Sequence, residues 1–206
     1  MKKAKTAPAA PDPDGPRRRR SGNRREELMD RAAELIAAKG FDGASMRDIA
    51  AAVGMLPGSL YYHFPSKEDL LREIHGRVVS GMAARVEQAL EGVESPWGRL
   101  EAAAEAHLAG LFETGSLVAI VSPDFPKGHE DLNEELRRQR RDYEQTFRDL
   151  FEALPLAPEA DRTLLRLELF GALNWTPVWY RDGGRYDPRR IATVYVETIR
   201  RAYGTG

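Results

Sequence analysis

The sequence contains no cysteine, which excludes disulfide frameworks, thiolate zinc sites and cysteine nucleophiles together and fits a reducing cytoplasm. It has no apolar run near the roughly 18 to 20 residues that a spanning helix needs. Its first 25 residues are polar and proline-rich where a signal peptide is apolar. No membrane partner is expected. No stretch alternates with period two for long enough to make a strand, and no internal repeat is visible. Enzyme signatures are missing as well: the four histidines, His63, His75, His107 and His129, lack paired metal spacing, and neither a G-x-S-x-G nor a glycine-rich phosphate loop occurs. Neither a catalytic residue nor a cofactor is expected. Glu101, Glu105 and His107 lie close together, but their spacing reads as a solvated helix face.

What is present is a chain of 206 residues, 42% hydrophobic, long enough for a proper core. Its net charge of -1 hides an asymmetry. Residues 1–77 carry 15 basic and 11 acidic side chains, and residues 78–206 carry 16 and 21. Nine basic residues against two acidic ones fall within Met1 to Arg25. A basic front on an acidic body points to a polyanion as partner of the front alone. Residues 1–23, with Pro8, Pro11, Pro13, Pro16 and the run Arg17 to Arg20, read as a disordered basic tail.

The rest reads as all α. A first helix runs from Arg24 to Lys39, with Leu28, Ala32, Leu35 and Ile36 at helical spacing and Gly40 as its stop. Ser45 caps a short second helix and Asp48 completes the capping box. Pro57 opens a short third helix, which ends before Pro65. Ser66 caps a long fourth helix reaching about Gly92. Further helical stretches cover Pro96 to Glu113, Ser116 to Val121, His129 to Leu154, Pro158 to Tyr180 and Pro188 to Tyr203.

Two short helices joined by a glycine turn and backed by a third form a helix-turn-helix. Its second helix would enter a major groove and expose Pro57, Gly58, Ser59, Tyr61, Tyr62 and His63, while Leu60 and Phe64 pack inward on Leu35, Ile36 and Ile49. Gly58 permits close backbone approach, Ser59 can bond base or phosphate, and the tyrosine hydroxyls suit phosphates.

Ser45-Met46-Arg47-Asp48-Ile49-Ala50, Val53-Gly54 and Gly58-Ser59-Leu60-Tyr61-Tyr62-His63-Phe64-Pro65-Ser66-Lys67-Glu68-Asp69-Leu70-Leu71 together resemble the DNA-binding domain of the tetracycline-repressor (TetR) family. The resemblance covers about Arg24 to Arg77. It implies an all-α homodimer, usually a repressor released by a small ligand held in the C-terminal domain. By position it places Arg47, Ser59, Tyr61, Tyr62, His63 and Lys67 on double-stranded operator DNA. The domains then divide as 24–77 for DNA binding and 78–206 for ligand binding and dimerisation. Lys67 opposes its own helix dipole, which a nearby phosphate would explain. The chain departs from the family at Leu56, where Ser or Thr is usual, and at Pro57, where a basic residue is common. The side-chain cap of that helix is therefore expected to be missing.

In the C-terminal half, Leu169 to Arg181 gathers Trp175, Trp179, Pro177 and Asn174 in one helix. The two tryptophans, four residues apart, read either as core or dimer contacts or, with Asn174, as pocket lining. Met82, Leu108, Phe112, Tyr143, Phe147, Phe170, Asn174 and Trp175 are the expected lining of a pocket for a hydrophobic effector. The Asn-Trp-x-x-x-Trp-Tyr pattern is similar to family members that bind acyl-coenzyme A thioesters, and the Arg137 to Arg141 run and Arg181 would meet such a head group. The resemblance also makes Phe170, Leu173, Ile191, Val194, Tyr195 and Thr198 interface candidates. The rival reading is an all-α enzyme or carrier whose helix-turn-helix is only scaffold; a third is a non-specific DNA coat using the arginine run.

Overall fold

The computed structural model describes residues 16–114 and 127–205, which form eight helices: α1 (Pro16–Lys39), α2 (Met46–Ala52), α3 (Pro57–His63), α4 (Lys67–Leu90), α5 (Pro96–Thr114), α6 (Glu130–Glu152), α7 (Arg162–Trp179) and α8 (Pro188–Tyr203). Only an isolated bridge between Leu156 and Gly204 has β character among these residues. None of the helices is long and apolar enough to cross a membrane. The helix expected around Ser116 to Val121 and the tail through Gly15 lie outside the described residues.

The first helix expected from Arg24 begins at Pro16 instead. Proline suits the opening turn, and arginine is a good helix former that periodicity cannot detect when no apolar residue accompanies it. The α7 start moves inward from Pro158 to Arg162, because Asp161 Oδ1 accepts from Leu164 N at 3.0 Å and so caps the helix there. α2 opens on a full capping box: Ser45 Oγ accepts from Asp48 N at 3.1 Å and Ser45 N donates to Asp48 Oδ2 at 3.0 Å. Gly54, at φ +65°, makes the turn into α3 that a side chain would strain.

Two apolar clusters form. The first joins α1, α2, α3 and the start of α4 through Leu28, Ile36, Ile49, Leu60, Phe64, Leu70 and Ile74, and also takes in Leu132 and Leu136 of α6. The second joins the far half of α4 with α5, α6, α7 and α8 through Met82, Leu100, Leu108, Phe147, Leu169, Leu173 and Val196. Two helices therefore belong to both clusters. α4 crosses the expected boundary at residue 77 without a break, and α6 docks its start on the DNA-binding side. His129, its N-cap, lies 3.2 Å from Glu68 and 3.7 Å from Asp42 and meets the edge of the Phe41 ring.

Candidate DNA-reading face and effector cavity

The short helix α3 rests on Leu60 and Phe64, both buried, and turns Pro57, Gly58, Ser59, Tyr61, Tyr62 and His63 outward. Tyr62 is 87% exposed and its ring meets His63 edge-on. Arg47, on α2, is exposed on the same unit. Leu56 is the N-cap of α3, makes no side-chain cap bond and is 77% exposed, with Pro57 at the first helical position. A groove of about 450 Å³ beside it is lined by Arg25, Met55, Leu56, Ser59, His63 and Phe64. Arg25 is tied down: it forms a two-bond fork with Glu73 at 2.6 and 2.8 Å, which raises its pKa further.

Lys67 is placed differently from the expectation. Its Nζ donates to the carbonyl oxygens of Phe41 and Ala44 at 2.6 and 3.0 Å and lies over the Phe41 ring. Those oxygens are enough to account for a cation at this helix start, and through them Lys67 braces the α1–α2 loop.

Between α4, α5, α6 and α7 lies a cavity of about 510 Å³. Val79, Met82, Leu111, Tyr143, Leu167, Phe170 and Trp175 supply most of its wall, and His107, Arg140, Glu144, Arg166, Gly171 and Asn174 complete it. Five of the eight expected lining residues are therefore there: Met82, Tyr143, Phe170, Asn174 and Trp175. Leu108 and Phe147 are fully buried core behind the wall, and Phe112 stacks on Tyr180 in a separate groove between α5 and α7. Periodicity marks all three as buried without saying which buried side chains border open space.

His107 overturns the solvated-face reading. It is 3% exposed and sits between Tyr143 Oη, 2.6 Å from Nδ1, and Asn174 Oδ1, 3.2 Å from Nε2. The Asn174 oxygen only accepts, so Nε2 carries the proton and Nδ1 accepts from the tyrosine hydroxyl. Burial lowers the His107 pKa to about 4 despite the Asn174 bond, and burial, reinforced by the charge of Glu144, pushes the Tyr143 phenol up. The polar floor is thus uncharged at neutral pH.

The rim differs. Glu144 faces Arg140 at 3.6 Å, Arg148 at 3.7 Å and Arg166 at 3.7 Å, one carboxylate among three guanidinium groups. Arg138, by contrast, is paired with Glu135, and Arg181 with the carbonyl of Tyr180. Neither lines this cavity. Among the interface candidates, Phe170, Leu173 and Ile191 are buried within the chain itself, Tyr195 is half-buried, and Val194 and Thr198 are exposed. The exposed apolar stripe of α7 is instead Leu164, Leu167, Trp175, Val178 and Trp179. Among the described residues no cluster of ligands could hold a metal ion.

A helix-turn-helix unit coupled by a continuous helix to a cavity in an all-α body is the build of a DNA-binding regulator that carries its own ligand site. Residues 28–74 match the model for "Bacterial regulatory proteins, tetR family", and residues 93–203 match "Tetracyclin repressor-like, C-terminal domain". The chain belongs to the TetR family. It is similar to the HTH-type transcriptional repressor KstR2 of Rhodococcus jostii, with 32% identity over 202 residues covering 94% of this chain and 95% of that one. The ketosteroid transcriptional regulator KstR2 of Mycobacterium tuberculosis shares the fold at 23% identity and TM-score 0.73, covering 89% of this chain and 96% of that one. AibR, solved in complex with isovaleryl coenzyme A and operator DNA, does so at 22% identity and TM-score 0.71, covering 85% and 97%.

Proposed function

We propose that this protein is a homodimeric cytoplasmic repressor that leaves a palindromic operator when a hydrophobic effector, with an acyl-coenzyme A thioester as first candidate, fills the cavity. The observation that carries the reading is the double membership of α4. Val79 and Met82 line the cavity, while Leu70, Leu71 and Ile74, one to three turns earlier, belong to the core that holds α3. An effector pressing on the first pair moves the second set as one rod. Two reading heads must stand about 34 to 36 Å apart to meet successive major grooves, so a shift of a few ångströms at each is enough to lose both half-sites.

Leu164, Val178 and Trp179, the exposed apolar residues of α7 that do not line the cavity, support a second copy as partner, since isolated apolar side chains are ordinary on a surface but a row along one helix is an interface pattern. The relatives supply the rest: KstR2 is named a repressor, and AibR was solved with both a thioester and DNA. Selecting bound DNA from a random pool should yield a palindrome, and titrating acyl-coenzyme A species into the complex should release it. Binding without sequence preference would overturn the operator reading, and a complex that no hydrophobic compound dissolves would overturn the release mechanism. The rival enzyme or carrier reading predicts no shift of any palindromic fragment.

A further inference from the structure

We propose that the effector is an anion: an apolar body carrying a carboxylate or phosphate group that binds Arg166 at the cavity wall. The inference rests on the cavity being the effector site and adds the charge class of what enters it.

Arg166 lies in the middle of α7, lines the cavity and is 8% exposed. Among the described residues its guanidinium makes no hydrogen bond. Glu144 pairs with it as a charge, its carboxylate oxygen 3.7 Å from Nη1, but that is beyond hydrogen-bonding distance, and Nη1 is buried without a hydrogen-bond partner. A guanidinium carries five donors and does not deprotonate, so it cannot relieve burial by losing its charge as a lysine or histidine can. Glu144 does not discharge the debt. It is shared with Arg140 and Arg148.

The remaining wall excludes other ligand classes. Val79, Met82, Leu111 and Phe170 call for an apolar body. The ring of His107 has both nitrogens satisfied and is neutral, so it offers no second charge. A cationic effector would meet the Arg166 guanidinium, and a neutral one would leave Arg166 Nη1 buried without a hydrogen bond, with Glu144 at 3.7 Å as its charge partner. A carboxylate matches the planar fork, and a phosphate does too. The first would come from a free carboxylic acid, the second from the head of a thioester whose acyl part fills the cavity.

The test uses the full chain and three probes of one chain length: decanoate, decanoyl-coenzyme A and decanol. Binding is read by tryptophan emission, since Trp175 lines the cavity, and release by retardation of an operator fragment. At least one of the two anions should bind about tenfold or more tightly than decanol, and Arg166→Met should remove that preference while leaving DNA affinity intact. Response to decanoate alone assigns the group to a free acid; response to decanoyl-coenzyme A alone assigns it to the thioester head. Arg166→Lys, which keeps the charge without the fork, should retain anion preference at reduced affinity, and serves if the methionine variant does not fold. Equal binding of anions and decanol by the parent chain, unchanged anion binding by Arg166→Met, or lost preference in a folded Arg166→Lys overturns the inference. Anion binding through Arg166 that fails to release DNA instead leaves it standing and overturns the release mechanism.

Discussion

The ammonium of Lys67 stands 2.6 Å from the carbonyl oxygen of Phe41 and 4.3 Å from the centre of its ring. A second carbonyl, that of Ala44, completes the grip. Lys67→Met should therefore destabilise the fold by about 2 kcal/mol, the range for a hydrogen-bonded charge losing its place. Urea unfolding checks this. The salt dependence of DNA affinity should not change, whereas a phosphate contact would flatten its slope by about 0.9. A flattened slope with unchanged stability would reverse the assignment.

At the start of α3 the defect is one of capping. Leu56 offers no side-chain acceptor to the first turn, where Ser59 N donates to the Leu56 carbonyl at 2.9 Å, and it exposes its own apolar surface. Leu56→Ser should raise stability by about 0.5 kcal/mol, the low end for a cap, since Pro57 already fixes the first turn and Ser59 N already has the Leu56 carbonyl as acceptor. Unfolding midpoints of the two proteins decide it, and no gain would mean that the cap amides are satisfied in another way.

Acid should act through the cavity floor. His107 drops from an ordinary 6.5 to about 4 on folding, so between these values the unfolded chain binds a proton that the native one refuses. Its contribution is complete above pH 6.5 and is lost as pH falls toward 4, in total about 3 kcal/mol by linkage. His75, lowered by burial, acts in the same direction. Stability measured between about pH 7 and about pH 5 should fall steeply in the parent and less in His107→Gln; parallel curves would remove His107 from the account.

On the reading face, Tyr62→Phe should weaken binding to every DNA sequence alike, because a hydroxyl on a phosphate positions without specifying. Ser59→Ala should shift the preferred operator instead. Selection experiments on the two variants test the division, and a changed consensus for Tyr62→Phe with none for Ser59→Ala would exchange their roles.

Local chemistry makes much of this readable in the sequence. Ser45 with Asp48, Ser66 with Asp69 and the glycine at 54 each declare a helix end through a bond or a backbone angle that involves near neighbours only. The cavity was half legible: apolar spacing finds Met82 and Phe170, but whether Leu108 faces space or its neighbours depends on helices distant in sequence. His107 misleads for the same reason. Glu101 and Glu105 are its neighbours along the chain, while Tyr143 and Asn174, on α6 and α7, are what cover it. Arg166 carries no such signal, since Glu168 stands between leucines in the same way and is exposed.

The start of α6 gives the DNA-binding core two of its leucines, Leu132 and Leu136, which bears on how such regulators can be recombined. A chimera that grafts residues 24–77 onto a foreign sensor would arrive with an apolar notch open to water, and one that keeps this sensor alone would carry two stranded leucines at its tip. Interchangeable parts cut at residue 77 would therefore be sticky ones. A soluble graft has to carry the first two turns of α6 along with the head it completes, or replace Leu132 and Leu136 and refill the notch.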